Sequence, residues 1–293
     1  MAEIGKRNSL AIVKTVAFGV YLDGGTLGEI LLPRRYVPAG AAPGDRLDVF
    51  LYFDSEDRLI ATTETPLAQA GDFAFLEAVA VNPTGAFLNW GLPKDLLVPW
   101  SEQRPPMKAG KKYVVYVYLD EASRRIAASA KIDKHLAKTP PPFEAGREVD
   151  LLIYGRTELG YKAVINNTHG GVLYENEVFR ELRPGDRVKG YVRKIRDDGK
   201  IDLRLGKPGA EGVDELAGRI LDALRANDGF LGITDKSPAE FVGRLFGVSK
   251  NAFKAAVGRL YKKRLVTLDD FGITLVGRGE NVSKLLKVDC RKV

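Results

Sequence analysis

The residues of this chain that could do chemistry are rings and cations rather than nucleophiles or metal ligands. Tyr21, Phe87 and Lys162 each stand two residues after a glycine, with Phe18 just before the first of these glycines and Tyr161 beside the lysine. Exposed rings stack on flat π-systems, and cations beside them can follow a phosphate backbone. The cations concentrate in two later stretches. Arg187, Lys189, Arg193, Lys194, Arg196 and Lys200 crowd one, where Lys and Arg outnumber Asp, with Tyr174 upstream. Lys250, Lys254, Arg259, Lys262 and Lys263 fill the other, which holds no acidic residue from Lys250 to Arg264.

Other chemistries lack their residues. His135 and His169 are the only histidines, and His169 falls in a turn-like NNTHGG segment where exposure is expected. Neither has a Cys or His partner at metal-ligand spacing. No GxxxxGK[ST] phosphate loop occurs, and DDFG at Asp269 lacks the remaining kinase signatures. The expectation is a non-enzyme without cofactor, metal or small-molecule substrate.

The elements that must position these residues come from a chain of 293 residues that is 45% hydrophobic, enough for several cores. The net charge of +7 favours a polyanionic partner. A single cysteine, Cys290, excludes an intramolecular disulfide and suits a reducing compartment, so a cytoplasmic location is expected. Leu10 to Leu22 is interrupted by Lys14 and reads as core strand, and no apolar run approaches the roughly 20 residues of a membrane span.

One interval recurs three times: Gly19 to Gly44, Gly85 to Gly110 and Gly160 to Gly185. Between these anchors VAFGVYL, NPTGAFL and TELGYKA align without gaps, followed by ILLP, LLVP and VLY. Each second anchor opens an apolar run: GDRLDVFLYF, GKKYVVYVYL and GDRVKGYVRKI. Short Val, Leu, Tyr and Phe runs punctuated by Gly, Pro, Asp and Asn signal small all-β units, each long enough for a five-stranded OB-type barrel. Pro- and Gly-rich joints mark the limits, giving barrels over residues 1–64, 72–138 and 146–206. Trp90 and Trp100 read as packing residues.

After Gly212 the periodicity turns helical. VDELAGRILDALRAN sets Val213, Leu216, Ile220, Leu221 and Leu224 on one stripe. In SPAEFVGRLFGV, Ser237 reads as N-cap and Phe241, Val242, Leu245 and Phe246 as the buried face; a second helix then turns Phe253, Val257, Leu260 and Tyr261 inward. Helix, Gly-containing turn and helix, followed by LVTLDDFGITL, predict a winged helix-turn-helix over 212–276, leaving 277–293 as a tail.

The barrel pattern resembles the RNA-binding OB domain of ribosomal protein S-one. That family's hairpin Asp and following basic residue are matched by Asp120 and Arg125, and more loosely by Asp54 with Arg58 and Asp197 or Asp198 with Lys200. Its aromatic or His after the third strand is replaced by Pro33 and Pro99, with Tyr174 in the third copy. Three such units before a winged helix closely resemble the CvfB (conserved virulence factor B, YitL) family of bacterial RNA-binding proteins, with TELGYKAVINN and GVLYENEVF most alike. The resemblance implies that single-stranded RNA, with mRNA or the ribosome as its carrier, is held chiefly by the third barrel and winged helix in post-transcriptional gene regulation. The rival reading is a DNA-binding transcription regulator whose winged helix reads duplex and whose barrels serve assembly. The fold class expected is mainly β: three tandem OB barrels, then a winged helix.

Overall fold

The computed structural model describes residues 1–277; the tail expected over 277–293, with Cys290, lies outside them apart from Gly277. Three closed five-stranded barrels precede a helical region closed by a small sheet. The chain divides into two compact units, one built on Met1–Lys138 and the other holding most of Thr139 onward.

The first barrel comprises β1 (Arg7–Val16), β2 (Gly19–Asp23), β3 (Glu29–Pro33), β4 (Arg46–Phe53) and β5 (Leu59–Thr62). The second repeats it with β6 (Phe73–Asn82), β7 (Gly85–Asn89), β8 (Leu96–Pro99), β9 (Lys112–Leu119) and β10 (Ile126–Ser129). In the third the strands are β11 (Glu148–Thr157), β12 (Gly160–Ile165), β13 (His169–Tyr174), β14 (Arg187–Ile195) and β15 (Ile201–Arg204). In the first and third, the opening strand pairs antiparallel with both the second and the fourth, and the third pairs parallel with the fifth. Closure leaves no open sheet edge.

The same irregularity recurs in each opening strand, where the register to the next strand shifts between Ile12 and Lys14, Ala78 and Ala80, and Ile153 and Gly155. An extra residue there bends the strand so that it can serve both sides of a small barrel.

The repeated glycine has a steric cause. A Cβ on Gly19, Gly85 or Gly160 would stand 2.2, 2.3 or 2.1 Å from the carbonyl oxygen of Leu32, Val98 or Leu173. The second and third strands of each barrel therefore meet more closely than any side chain permits. Alternation then follows from the pleat: Val20 and Leu22 face inward and Tyr21 outward, as do Ala86 and Leu88 about Phe87.

The first two barrels share a core. Phe50, Tyr52 and Ile60 of the first join Trp90, Leu92 and Leu96 of the second, with Phe50 edge-on to Trp90 at 5.6 Å. Trp90 is the packing residue expected, and its indole N–H donates to the Lys94 carbonyl at 2.6 Å. Trp100 is 44% exposed instead, its N–H donating to the carbonyls of Asn82 and Pro83. Past β10 lies the single turn α1 (Ile132–His135), where His135 stacks on Tyr116 at 4.3 Å and burial holds its imidazole pKa below the ordinary value. His169, expected exposed, is buried at the start of β13, because the turn ends before it and its strand position faces inward.

The helical domain is built from α2 (Gly209–Ala226), α3 (Ala239–Phe246) and α4 (Lys250–Lys262). Its sheet joins β16 (Phe230–Leu231), β17 (Val266–Leu268) and β18 (Ile273–Leu275), the last two forming the wing. Leu216, Ile220 and Leu224 of α2 pack against Phe253, Val257 and Leu260 of α4 in one core. Three details depart from the periodicity. Ser237 does not cap α3; its hydroxyl accepts from the Thr234 N–H at 3.0 Å, and Ser249 caps α4 through the Ala252 N–H at 3.1 Å. Phe241 and Leu245 are 38% and 51% exposed, because α3 is short and seats only Val242, Gly243 and Phe246. Tyr261 is 56% exposed, since the buried stripe of α4 ends at Leu260. Among the described residues no helix is long and apolar enough to cross a membrane.

Adding a methyl group at two glycines should move stability in opposite directions. Gly85→Ala should destabilise the first unit by about 1–3 kcal/mol through forced overpacking. Gly218→Ala, on the exposed side of α2 with open space at its Cβ, should stabilise the second by about 0.5–1 kcal/mol. Thermal unfolding of each variant beside the parent chain checks both.

Candidate nucleic-acid interface

The position two residues after each anchor glycine is an outer-surface position in all three barrels. Tyr21, Phe87 and Lys162 are half-buried, each between inward-facing neighbours. Local packing fixes what each presents. The Lys14 ammonium lies 4.7 Å from the Tyr21 ring centroid, and Phe18, 58% exposed, meets Tyr21 edge-on at 6.4 Å. Together they form an open aromatic corner at the β1–β2 turn. Phe87 faces a cleft between the first two barrels. The Lys162 ammonium sits 5.2 Å over the ring of Tyr154, the residue at the β11 irregularity.

Tyr161 is a correction. It was expected at the surface, but only 6% of it is exposed and it belongs to the third barrel's core, with the Arg156 guanidinium 5.4 Å from its ring. The alternation that points Lys162 outward necessarily turns its neighbour inward.

The end of β13 carries a polar cluster that the other barrels cannot build. The Tyr174 hydroxyl donates to Asp202 at 3.2 Å, and Arg196 Nε donates to the same carboxylate at 3.0 Å. The Arg196 guanidinium also donates to the Tyr174 hydroxyl and lies 5.7 Å from the ring centroid. The hydrogen bond to Asp202 holds Arg196 more firmly charged than a free arginine. Pro33 and Pro99 end the corresponding strands of the first two barrels, so neither ring nor hydroxyl exists there.

Most of the third barrel's cations already have acidic partners. Lys189 pairs with Asp150 at 2.7 Å, Arg193 with Glu177 at 2.5 Å and Lys200 with Asp198 at 2.7 Å. The hydrogen bond that its ammonium donates to Asp150 holds Lys189 above the usual lysine range. Arg187 is exposed at the start of β14. Lys194 is exposed with no acidic partner among the described residues. The hairpin pairs expected from the resemblance differ between copies. Asp54 chelates Arg58 at 2.8 Å within one turn, whereas Asp120 accepts from Ser123 and leaves Arg125 to Asp57 of the first barrel at 2.5 Å.

On α4 the solvent face carries Asn251, Lys254, Ala255, Tyr261 and Lys262. Ala255 and the half-exposed Gly258 keep its middle flat. Lys254 lies 3.6 Å from Asp235, while Arg259 and Lys263 both reach back to Asp214 on α2, at 2.7 and 3.7 Å. Lys250 and Lys262 have no acidic partner among the described residues. Exposed pairs are each worth only about 0–1 kcal/mol, so a phosphate can replace the carboxylate, but the unpaired ammonium groups meet it without that exchange. The wing tip is acidic: Asp269 and Asp270 precede Phe271, which is 78% exposed, and Asp270 binds Lys236 at 2.8 Å. Among the described residues no three His, Cys, Asp or Glu side chains are grouped to hold a metal.

Within the second unit the third barrel and the winged helix approach closely at Phe179 and Gly243. Phe179, on the segment after β13, lies where a Cβ on Gly243 of α3 would come within 3.1 Å of it.

Tandem S1-type barrels carrying rings and cations on their outer faces, followed by a winged helix with a basic second helix, define a nucleic-acid-binding class of protein. Residues 4–64 match the family of the S1 domain and residues 218–275 that of the CvfB-like winged helix domain. The chain is 30% identical over 266 residues to the uncharacterized protein YitL of Bacillus subtilis, covering 88% of this chain and 89% of that one. It is 25% identical over 244 residues to conserved virulence factor B of Staphylococcus epidermidis, covering 80% and 82%. A crystal structure of a multidomain protein with nucleic acid binding domains from Streptococcus pneumoniae aligns over 93% of this chain and 98% of that one, at 22% identity and a TM-score of 0.43. The chain belongs to the conserved virulence factor B family, of which YitL is a member.

The pairing pattern ranks the cations. Removing Lys194, Lys250 or Lys262 should each reduce the slope of log affinity against log salt by about 0.7 for a single strand. Lys200→Ala, which also frees Asp198, should leave the slope nearly unchanged. Titrating a fluorescent oligonucleotide across a salt series measures each value.

Proposed function

We propose that this is a non-catalytic RNA-binding protein that holds single-stranded RNA mainly on its third barrel and winged helix. Bases stack on exposed rings while phosphates meet Lys and Arg. The observation that carries the reading is the Tyr174, Arg196 and Asp202 cluster, present only where the first two barrels have proline. It offers one unpaired base a ring, with the Arg196 guanidinium oriented beside it for a phosphate. Lys162 replaces an aromatic at the repeated outer position of the same barrel and adds charge. A cytoplasmic role in post-transcriptional gene regulation, acting on mRNA or at the ribosome, accords with this chemistry.

Two features favour single strands over duplex DNA. Stacking on protein rings needs bases without neighbours on both faces. A wing laid on a duplex would bring Asp269 and Asp270 against its phosphates, and the solvent face of α4 offers Asn251 but few other groups suited to base edges.

Filter binding of a single-stranded RNA and a duplex DNA of equal length, at two salt concentrations, tests the proposal. RNA should bind more tightly at both, and Tyr174→Ala should weaken it about 5- to 150-fold, the equivalent of 1–3 kcal/mol for one stacked base. Preference for the duplex would establish the transcription-regulator reading, and failure to bind either at low salt would point to a protein scaffold.

A further inference from the structure

The cleft between the first two barrels has no role in the reading above. It encloses about 760 Å³, within the roughly 300–1,000 Å³ typical of small-ligand sites. One wall is the outer face of β7 and β8, including Phe87. The β9–β10 hairpin supplies Tyr118 and Ser123, and the first barrel supplies Tyr52 and Phe53. Because the two barrels share a continuous apolar core about Phe50 and Trp90, the cleft is preformed.

Its charges argue against a polyanion. Lys94 and Arg125 are the cations of the lining, and both are held by Asp57 at 3.3 and 2.5 Å. Three carboxylates also line it. Glu102 is satisfied by Ser129 at 2.6 Å and Lys134 at 3.1 Å, and Asp120 by Ser123 at 2.6 Å. Asp95 has no hydrogen-bond or ion-pair partner among the described residues, and partial burial raises its pKa above the usual carboxylate value. The occupant therefore brings a flat apolar ring and N–H donors rather than phosphates.

Register places ring and carboxylate together. Phe87 pairs directly with Leu97 across β7 and β8, and Leu96 and Val98 face inward. Asp95 immediately precedes β8 and lines the same cleft as Leu97 and Phe87, two residues from Phe87's cross-strand partner and so within diagonal reach of the ring. A base resting on the Phe87 ring turns its edge toward Asp95. Of the common bases only guanine presents two adjacent N–H donors, N1–H and the N2 amino group, which a carboxylate accepts side by side. Uracil, cytosine and adenine place an acceptor beside the donor, facing the second carboxylate oxygen.

We propose that this cleft binds a single guanine base, stacked on Phe87 and read by the Asp95 carboxylate. Every residue that lines the cleft belongs to the first two barrels, so either proposal can fail without the other.

Equilibrium dialysis of the full chain against guanosine and uridine tests it. Guanosine should bind saturably and at least ten-fold more tightly than uridine. Asp95→Asn, outside the apolar core, should remove that preference. Phe87→Leu, which keeps apolar bulk but loses the ring, should weaken guanosine at least five-fold. Competition by a single-stranded heptamer with one central guanine would assign the base to an RNA strand; its absence would assign it to the free nucleoside. Equal affinity for guanosine and uridine, unchanged binding by Asp95→Asn, or no saturable binding of guanosine would overturn the proposal.

Discussion

The close approach of the second and third strands at Gly19, Gly85 and Gly160 is the constraint from which the rest of each barrel follows. With a carbonyl oxygen little more than 2 Å from where a Cβ would stand, only glycine fits, and the strand phase is pinned at that residue. The next residue turns inward and the one after it outward. That single phase decides that Tyr21, Phe87 and Lys162 reach the surface and that Tyr161 does not. It also sets the end of the third strand, where proline or Tyr174 stands, against the same glycine.

Identical scaffolds have acquired different surfaces. The first barrel shows the open ring pair of Phe18 and Tyr21 with Lys14 beside it. The second turns its equivalent ring into a cleft walled by the first, and its hairpin arginine is held by a carboxylate from the first. The third replaces the ring with Lys162 and builds a tyrosine, arginine and aspartate cluster nearby. The winged helix adds a flat basic face on α4. Charge and stacking are thus distributed unevenly along the repeat, which is why one unit can specialise while the others keep the same backbone.

Much of this was legible in the sequence because it is local. The glycine interval, the alternation after it and the change of period after Gly212 gave three barrels and a winged helix. What departs from the local pattern depends on where an element stops or on residues far apart in the chain. Tyr261 fell outside the buried stripe because α4 ends just beyond it, and Phe241 and Leu245 because α3 is too short to turn them under. His169 looked like a loop residue because the strand begins on it. The long basic run overstated the free charge, since Asp214 meets Arg259 and Lys263, and Glu177 meets Arg193, across separations no local pattern reveals. Asp57 reaching Lys94 and Arg125, and the cleft they border, arise only when two repeats pack together.

The central claim, that the second unit holds the RNA, is tested most directly by dividing the chain. Each half has its own apolar cores, so residues 144–276 and residues 1–138 can be prepared separately and titrated with the same single-stranded RNA. Residues 144–276 should retain nearly all the affinity and salt dependence of the whole chain, with weak binding by 1–138. Nearly full affinity in 1–138 would contradict it.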